Sequence, residues 1–122
     1  EKQAMRYCCT VLSVSDINKA RSFYEDIFGL EVNQDYGRNI LFSCGLALQQ
    51  DFDWLVGMSK DRIHKKPNNV ELAFEEHDFD GFLQKLNDNP TIELLSGVVE
   101  HDWGQWVIRF YDLDGQRKGK WS

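Results

Sequence analysis

The sequence predicts an α+β fold in which one order of elements, a strand, a helix and three further strands, occurs twice along the chain. Apolar residues recur at helical spacing in two separate segments, and a run with the composition of a β-strand precedes each segment. Several short extended runs separated by glycines follow each helix. With 122 residues, the chain is long enough for one core but too short for two independent cores. We therefore expect a single domain over residues 1–122, with a first half at about 5–50, a connector at 51–69 and a second half at about 70–122.

The first half opens with a strand at Tyr7–Val14, where apolar or small residues on both faces are typical of a central strand. Asp16 is a good N-cap for the helix that follows, and Gly29 can end that helix in a left-handed conformation. The apolar stripe of this helix consists of Ile17, Ala20, Phe23, Tyr24, Ile27 and Phe28. Three extended runs complete the half: Leu30–Asp35, Asn39–Ser43 and Leu46–Gln50.

The second half repeats this order after a connector without a clean period, in which we expect a short helical turn at Phe52–Met58. Val70–Glu75 is predicted as a strand, and Asp78 as the cap of a helix. The apolar face of that helix carries Phe79, Phe82, Leu83 and Leu86. Extended runs are predicted at Thr91–Leu95, Val98–Trp103 and Trp106–Tyr111, and a last run can follow the turn at Asp112–Gly115.

Composition excludes several classes of function. The net charge is -6, with 14 Lys and Arg against 20 Asp and Glu, so a phosphate backbone would be repelled and we expect no nucleic-acid partner. No apolar run is long enough for a membrane span, and Glu1–Arg6 has no apolar leader, so we expect a cytoplasmic protein without a membrane partner. The three cysteines are best interpreted as reduced thiols.

Two motifs carry a resemblance to a known family. The string Val14–Ile17 followed by Ala20–Leu30 resembles the opening signature of the vicinal-oxygen-chelate superfamily, which includes glyoxalases, bleomycin-resistance proteins and extradiol dioxygenases. Trp103–Gln105 and Ile108–Gly115 resemble the late strand and turn of the same family. Together with the internal repeat, the resemblance covers Met5–Gly115. It implies two βαβββ modules that form a cupped mixed or antiparallel sheet around a small-molecule pocket, and a homodimer.

The resemblance also implies where catalytic members hold a divalent metal. The four family positions fall on Cys9, on Gln49 or its neighbour, on Glu71 and on Gly119. Glu71 is the one strong ligand for a hard cation among them, and the chain's three histidines occupy none of these positions. We therefore expect these positions to be vestigial and no cofactor to be bound, with a divalent metal as the alternative.

Glu71 is the leading candidate for a functional residue, because a carboxylate on the otherwise apolar strand Val70–Phe74 needs a partner. It can act as a general base, as a ligand anchor or as a partner of Gln49. Arg109 can pair with Glu71, Glu93 or Glu100, and the sequence leaves these choices open. An aromatic wall is predicted from Trp54, Trp103, Trp106 and Tyr111, with Cys9, Phe42 and Gln49 as further ligand-binding candidates.

The first functional hypothesis is a small-molecule-binding protein of the bleomycin-resistance type, which binds a planar or cationic ligand in an aromatic cleft without a catalytic metal. The second is a metal-dependent lyase, isomerase or dioxygenase of the same superfamily, with Glu71 as the catalytic group. The third is a dimeric interaction or regulatory domain in which the pocket is vestigial. The sequence does not identify the ligand.

Overall fold

Strands and helices follow the predicted order in the computed structural model, which describes residues 5–64 and 70–114 and the backbone of residues 117–121. The chain divides into two units, residues 1–63 and 64–122. The elements are β1 Thr10–Val14, α1 Ile17–Phe28, β2 Val32–Asp35, β3 Asn39–Phe42, β4 Leu46–Gln50, α2 Phe52–Val56, a 3₁₀ turn Lys60–Arg62, β5 Glu71–Glu75, α3 Phe79–Asn87, β6 Val99–Glu100, β7 Trp106–Tyr111 and β8 Arg117–Trp121.

The first unit is a four-stranded mixed sheet in the order β1-β4-β3-β2, in which β1 runs parallel to β4 and the other pairs are antiparallel. Helix α1 begins where predicted, because the Asp16 carboxylate accepts the backbone N–H groups of Asn18 and Lys19 at 3.1 Å. It ends at Gly29, whose φ of 66° lies in the left-handed region. The tyrosine ring of Tyr24 packs 6.0 Å from that of Phe42, so α1 covers one face of the sheet.

The second unit repeats this topology in the order β5-β8-β7-β6, with β5 parallel to β8. The Asp78 carboxylate accepts the backbone N–H of Gly81 at 3.0 Å and begins α3 as predicted. The rings of Phe82 and Phe110 lie 5.9 Å apart and join α3 to β7. The two units thus confirm the predicted α+β fold of two βαβββ modules.

The predicted strand at Thr91–Leu95 was wrong in extent. The backbone N–H groups of Leu95 and Ser96 both approach the Arg109 carbonyl, at 2.9 and 3.4 Å, so regular pairing with β7 fails after a single bridge between Leu94 and Phe110. The run predicted at Val98–Trp103 is shorter, Val99–Glu100, because its chain turns back at His101, whose N–H bonds to the Gln105 carbonyl.

Other boundaries differ by less. Strand β1 begins three residues later than predicted, at Thr10, and the helical turn of the connector is α2. Residues 65–69 of the connector and Gly115 of the predicted turn lie outside the described residues. None of the helices in the described part of the chain is long and apolar enough to cross a membrane.

Candidate functional site

The most distinctive polar contact in the second unit joins Glu71 of β5 to Arg109 of β7. The Arg109 Nε donates a hydrogen bond to the Glu71 Oε1 at 2.7 Å, and each side chain is 21% exposed. A pair this short and this shielded is a charge-assisted hydrogen bond, which is stronger than a neutral one. The structure therefore selects Glu71 from the three partners that the sequence left open for Arg109.

Strand β8 lies between the two strands that carry this ion pair. Glu71 is opposite Arg117, and Arg109 is opposite Gly119, so the contact crosses β8 diagonally. Gly119 carries no side chain that would stand beside the Arg109 side chain on this face. The family's metal position that falls on Gly119 is thus a glycine directly opposite the residue that carries the guanidinium.

Alternation along β7 fixes which face of the sheet carries the ion pair. Ile108 and Phe110 point to the face that α3 covers, so Arg109 and Tyr111 point to the opposite face. Glu71 shares that face through the register Glu71–Arg117–Tyr111. Tyr111 is 7% exposed. The pair therefore lies beside a buried aromatic residue on the face opposite α3.

The two glutamines at the predicted fourth-strand position have structural partners. The buried Gln49 donates from Nε2 to the Gln50 carbonyl at 2.8 Å and accepts from the Asn39 Nδ2 at 2.9 Å. The Gln50 Oε1 accepts the backbone N–H of Ile17 at 2.9 Å, which is one of the N–H groups that the first turn of α1 leaves without a helical partner. Both side-chain amides are therefore engaged within the first unit.

The family's metal positions fit a divalent cation poorly. Cys9 is a partly exposed free thiol just before β1, the Gln49 oxygen is hydrogen-bonded, Glu71 already contacts a cation, and Gly119 offers no donor. Within either unit, the described His, Cys, Asp and Glu residues form no group of three or more that could hold a metal ion. A hard divalent ion prefers several oxygen or imidazole ligands, and these residues do not supply them.

The predicted aromatic residues of the first unit occupy different environments. The Phe42 side chain is 1% exposed and belongs to the core under α1. Trp54 in α2 is 65% exposed, and the Arg38 guanidinium carbon lies 4.7 Å from its ring centroid. Arg38 also approaches the Asp51 carboxylate at 3.6 Å. Trp54 is thus part of a cation–π contact at the surface of this unit.

The aromatic residues of the second unit do not share one wall. Trp103 stacks on His101 with ring centroids 4.4 Å apart, in the loop after β6. Trp106 points to the face opposite that of Tyr111, because the two residues are an odd number of positions apart along β7. Trp106 and Phe79 help to line an open cavity of about 450 Å³ at the start of α3. This cavity was not predictable from the sequence, because its lining comes from three separate segments of the chain.

Two consecutive βαβββ modules, each with a parallel outer pair of strands and a helix after its first strand, define a protein of the vicinal-oxygen-chelate class. The family model for the glyoxalase-like domain matches residues 7–117 of the chain. The chain therefore belongs to the glyoxalase-like domain family, which confirms the resemblance seen in the sequence.

Individual relatives agree with this assignment. The metallothiol transferase FosB of Staphylococcus saprophyticus is 30% identical over 108 residues, which are 86% of this chain and 68% of that protein. A crystal structure of a protein of unknown function from Agrobacterium tumefaciens has a TM-score of 0.82 at 32% identity, and covers 98% of this chain and 95% of that one. A lactoylglutathione lyase from the same species has a TM-score of 0.71 at 21% identity, with coverage of 98% and 95%, and supports the fold alone.

Proposed function

We propose that this chain binds a small planar organic molecule and does so without a catalytic metal. The observation that carries the proposal is the ion pair between Glu71 and Arg109, at 2.7 Å. A metal-binding carboxylate has to offer its negative charge to the metal, and the guanidinium of Arg109 already compensates the charge of Glu71. A divalent cation at this position would have to break that contact and would then lie close to a fixed positive charge.

The remaining family positions support the same conclusion. Gln49 uses its amide oxygen for Asn39 and its amide nitrogen for the Gln50 carbonyl. Gly119 has no side-chain donor, and Cys9 is a single soft ligand. These groups supply few of the oxygen or imidazole ligands that a hard divalent cation prefers.

The ligand is proposed to contact the face of the second sheet that carries Glu71, Arg109 and Tyr111. A cationic ligand would have to compete with Arg109 for the Glu71 carboxylate. The ion pair therefore disfavours a cationic ligand on this face. Of the two ligand classes that the sequence suggested, planar and cationic, it favours the planar one.

The alternative is a metal-dependent enzyme. The specific observation in its favour is the 30% identity to a protein named metallothiol transferase, whose name implies a metal. In this alternative Glu71 would act as a metal ligand or a catalytic base, and would have to exchange Arg109 for the ion.

Elemental analysis of protein purified without chelators, combined with tryptophan fluorescence titrations against planar and cationic compounds, separates the two functions. We expect substoichiometric metal and ligand binding that persists after dialysis against EDTA. The Glu71→Gln variant should change ligand affinity. Glu75→Gln, on the same strand and face but paired only loosely with His77 at 3.7 Å, serves as the control. Two results would contradict the proposal. One is stoichiometric metal in the protein that is lost in Glu71→Gln. The other is ligand binding that EDTA abolishes and that Mn²⁺, Ni²⁺ or Zn²⁺ restores.

A further inference from the structure

We propose that Arg109 is the ligand-binding residue of this site and that the planar ligand carries a carboxylate. This inference rests on the proposed function, since it assigns a chemical class to the ligand of the same site. The guanidinium then holds the oxygen atoms of the ligand, which is the task of the divalent ion in a metal-dependent protein.

The geometry of the ion pair leaves the outer edge of the guanidinium available. An arginine has five N–H donors in one plane, one on Nε and two on each Nη. The Nε–H is directed at Glu71, and neither Nη nitrogen makes a hydrogen bond to any residue in the described part of the chain. The two Nη nitrogens therefore keep donors that a ligand can use.

Glu71 has a positioning role in this arrangement. By accepting from Nε at 2.7 Å, its carboxylate limits rotation of the Arg109 side chain and fixes the guanidinium plane. A carboxylate matches a fixed guanidinium with two parallel N–H···O bonds, which a neutral carbonyl oxygen cannot form. Because each side chain is only 21% exposed, water competes less for these donors than it does at an open surface.

The local charge balance decides between possible ligands. The charges of Glu71 and Arg109 sum to zero, so an approaching carboxylate meets no net repulsion from this pair and gains the hydrogen bonds of the Nη groups. An amidinium has no acceptor for those groups and would have to displace Arg109 from Glu71. A neutral amide offers one acceptor oxygen and no charge. The expected order of affinity is therefore carboxylate, then amide, then amidinium.

Three planar probes of nearly equal size test this order: benzoate, benzamide and benzamidine. Titrations of ¹⁵N-labelled, EDTA-dialysed protein would be followed by NMR through the Nε–H resonance of Arg109. We expect benzoate to bind at least about ten-fold more tightly than either other probe, because charge-assisted hydrogen bonds exceed neutral ones by that margin. Benzoate should also shift the Nε–H resonance.

Variants separate binding from folding. Arg109→Lys keeps the positive charge but lacks the planar donors, and should lower the affinity for benzoate at least about five-fold. The double variant Glu71→Gln/Arg109→Gln removes both charges of this contact together, so that neither is left without the other, and should reduce the affinity for benzoate to that for benzamide. Arg21→Gln is the matched control, because Arg21 is a partly exposed arginine in the first unit that pairs with Asp35 at 3.0 Å. It should leave benzoate affinity within about two-fold.

The outcomes distinguish this inference from the proposed function. If benzamide or benzamidine binds metal-free protein at least as well as benzoate, the carboxylate assignment is wrong although metal-free binding stands. If benzoate binds but the double variant binds it equally well, Arg109 is not the anchor. If probes bind only after a divalent metal is added, both proposals fail, and the absence of binding under either condition also overturns the inference.

Discussion

Breaking the Glu71–Arg109 contact should measurably destabilise the folded protein. Taking the 2.7 Å contact as the separation of two unit charges, Coulomb's law at an effective dielectric constant of about 20 gives roughly 6 kcal/mol of gross attraction. Most of this is offset by the cost of removing both groups from water, and the residual exposure of 21% places the pair between surface and buried cases. We expect Glu71→Gln and Arg109→Gln each to cost about 2 kcal/mol of the free energy of unfolding.

A double-mutant cycle isolates the interaction from other effects of the two substitutions. The double variant should cost about 1 to 2 kcal/mol less than the sum of the single variants. Urea denaturation followed by tryptophan fluorescence measures all four free energies. The coupling should persist at high salt, because a contact this short and shielded is screened far less than an exposed pair. Costs that add within about 0.3 kcal/mol would show that the pair contributes nothing to folding, and would refute the argument that Arg109 compensates Glu71.

Three further predictions concern the fold and the assembly. Replacing Gly29, at φ 66°, by alanine should lower the free energy of unfolding, measured by urea denaturation, by about 1 kcal/mol. A Cβ at this position meets no atom within 4 Å, so backbone strain alone opposes the substitution. An unchanged stability would mean that α1 ends differently. Gln49→Ala should lower the free energy of unfolding by about 2 kcal/mol in the same assay, because the Asn39 Nδ2 loses its acceptor. A more stable variant would instead indicate that Gln49 has a functional role and destabilises the fold. The homodimer implied by the family resemblance predicts twice the monomer mass in sedimentation equilibrium, and a concentration-independent monomer would contradict it.

The helices and the order of the elements along the chain were predictable because their signals are local. Asp16 and Gly29 each act on the turn next to them, and the apolar spacing of α1 needs no information from the rest of the chain. The strand predicted at Thr91–Leu95 failed for the opposite reason. Its extent depends on how two neighbouring N–H groups share one carbonyl of β7, and that geometry exists only after the strands have paired.

In the candidate site, too, the local signals were predictable and the long-range contacts were not. Glu71 stood out in the sequence because an acidic residue interrupts an apolar strand. Its partner was not predictable, since Arg109 reaches it across β8, and only the strand order β5-β8-β7 brings the two residues together. The separation of Trp106 and Tyr111 was readable in principle, because residues an odd number apart on one strand point to opposite faces.

Charge balance in the second unit links the missing metal ligands to the proposed ligand. A divalent cation would compensate two carboxylates, one at Glu71 and one at the position of Gly119. In this chain the glycine removes one negative charge, and Arg109, directly opposite it in the register, compensates the other. The Glu71–Arg109 pair therefore carries no net charge, and a dication added beside it would lie close to a guanidinium. A ligand carboxylate adds a single negative charge where hydrogen-bond donors are already oriented, so the same residues that disfavour a metal favour an anionic planar molecule.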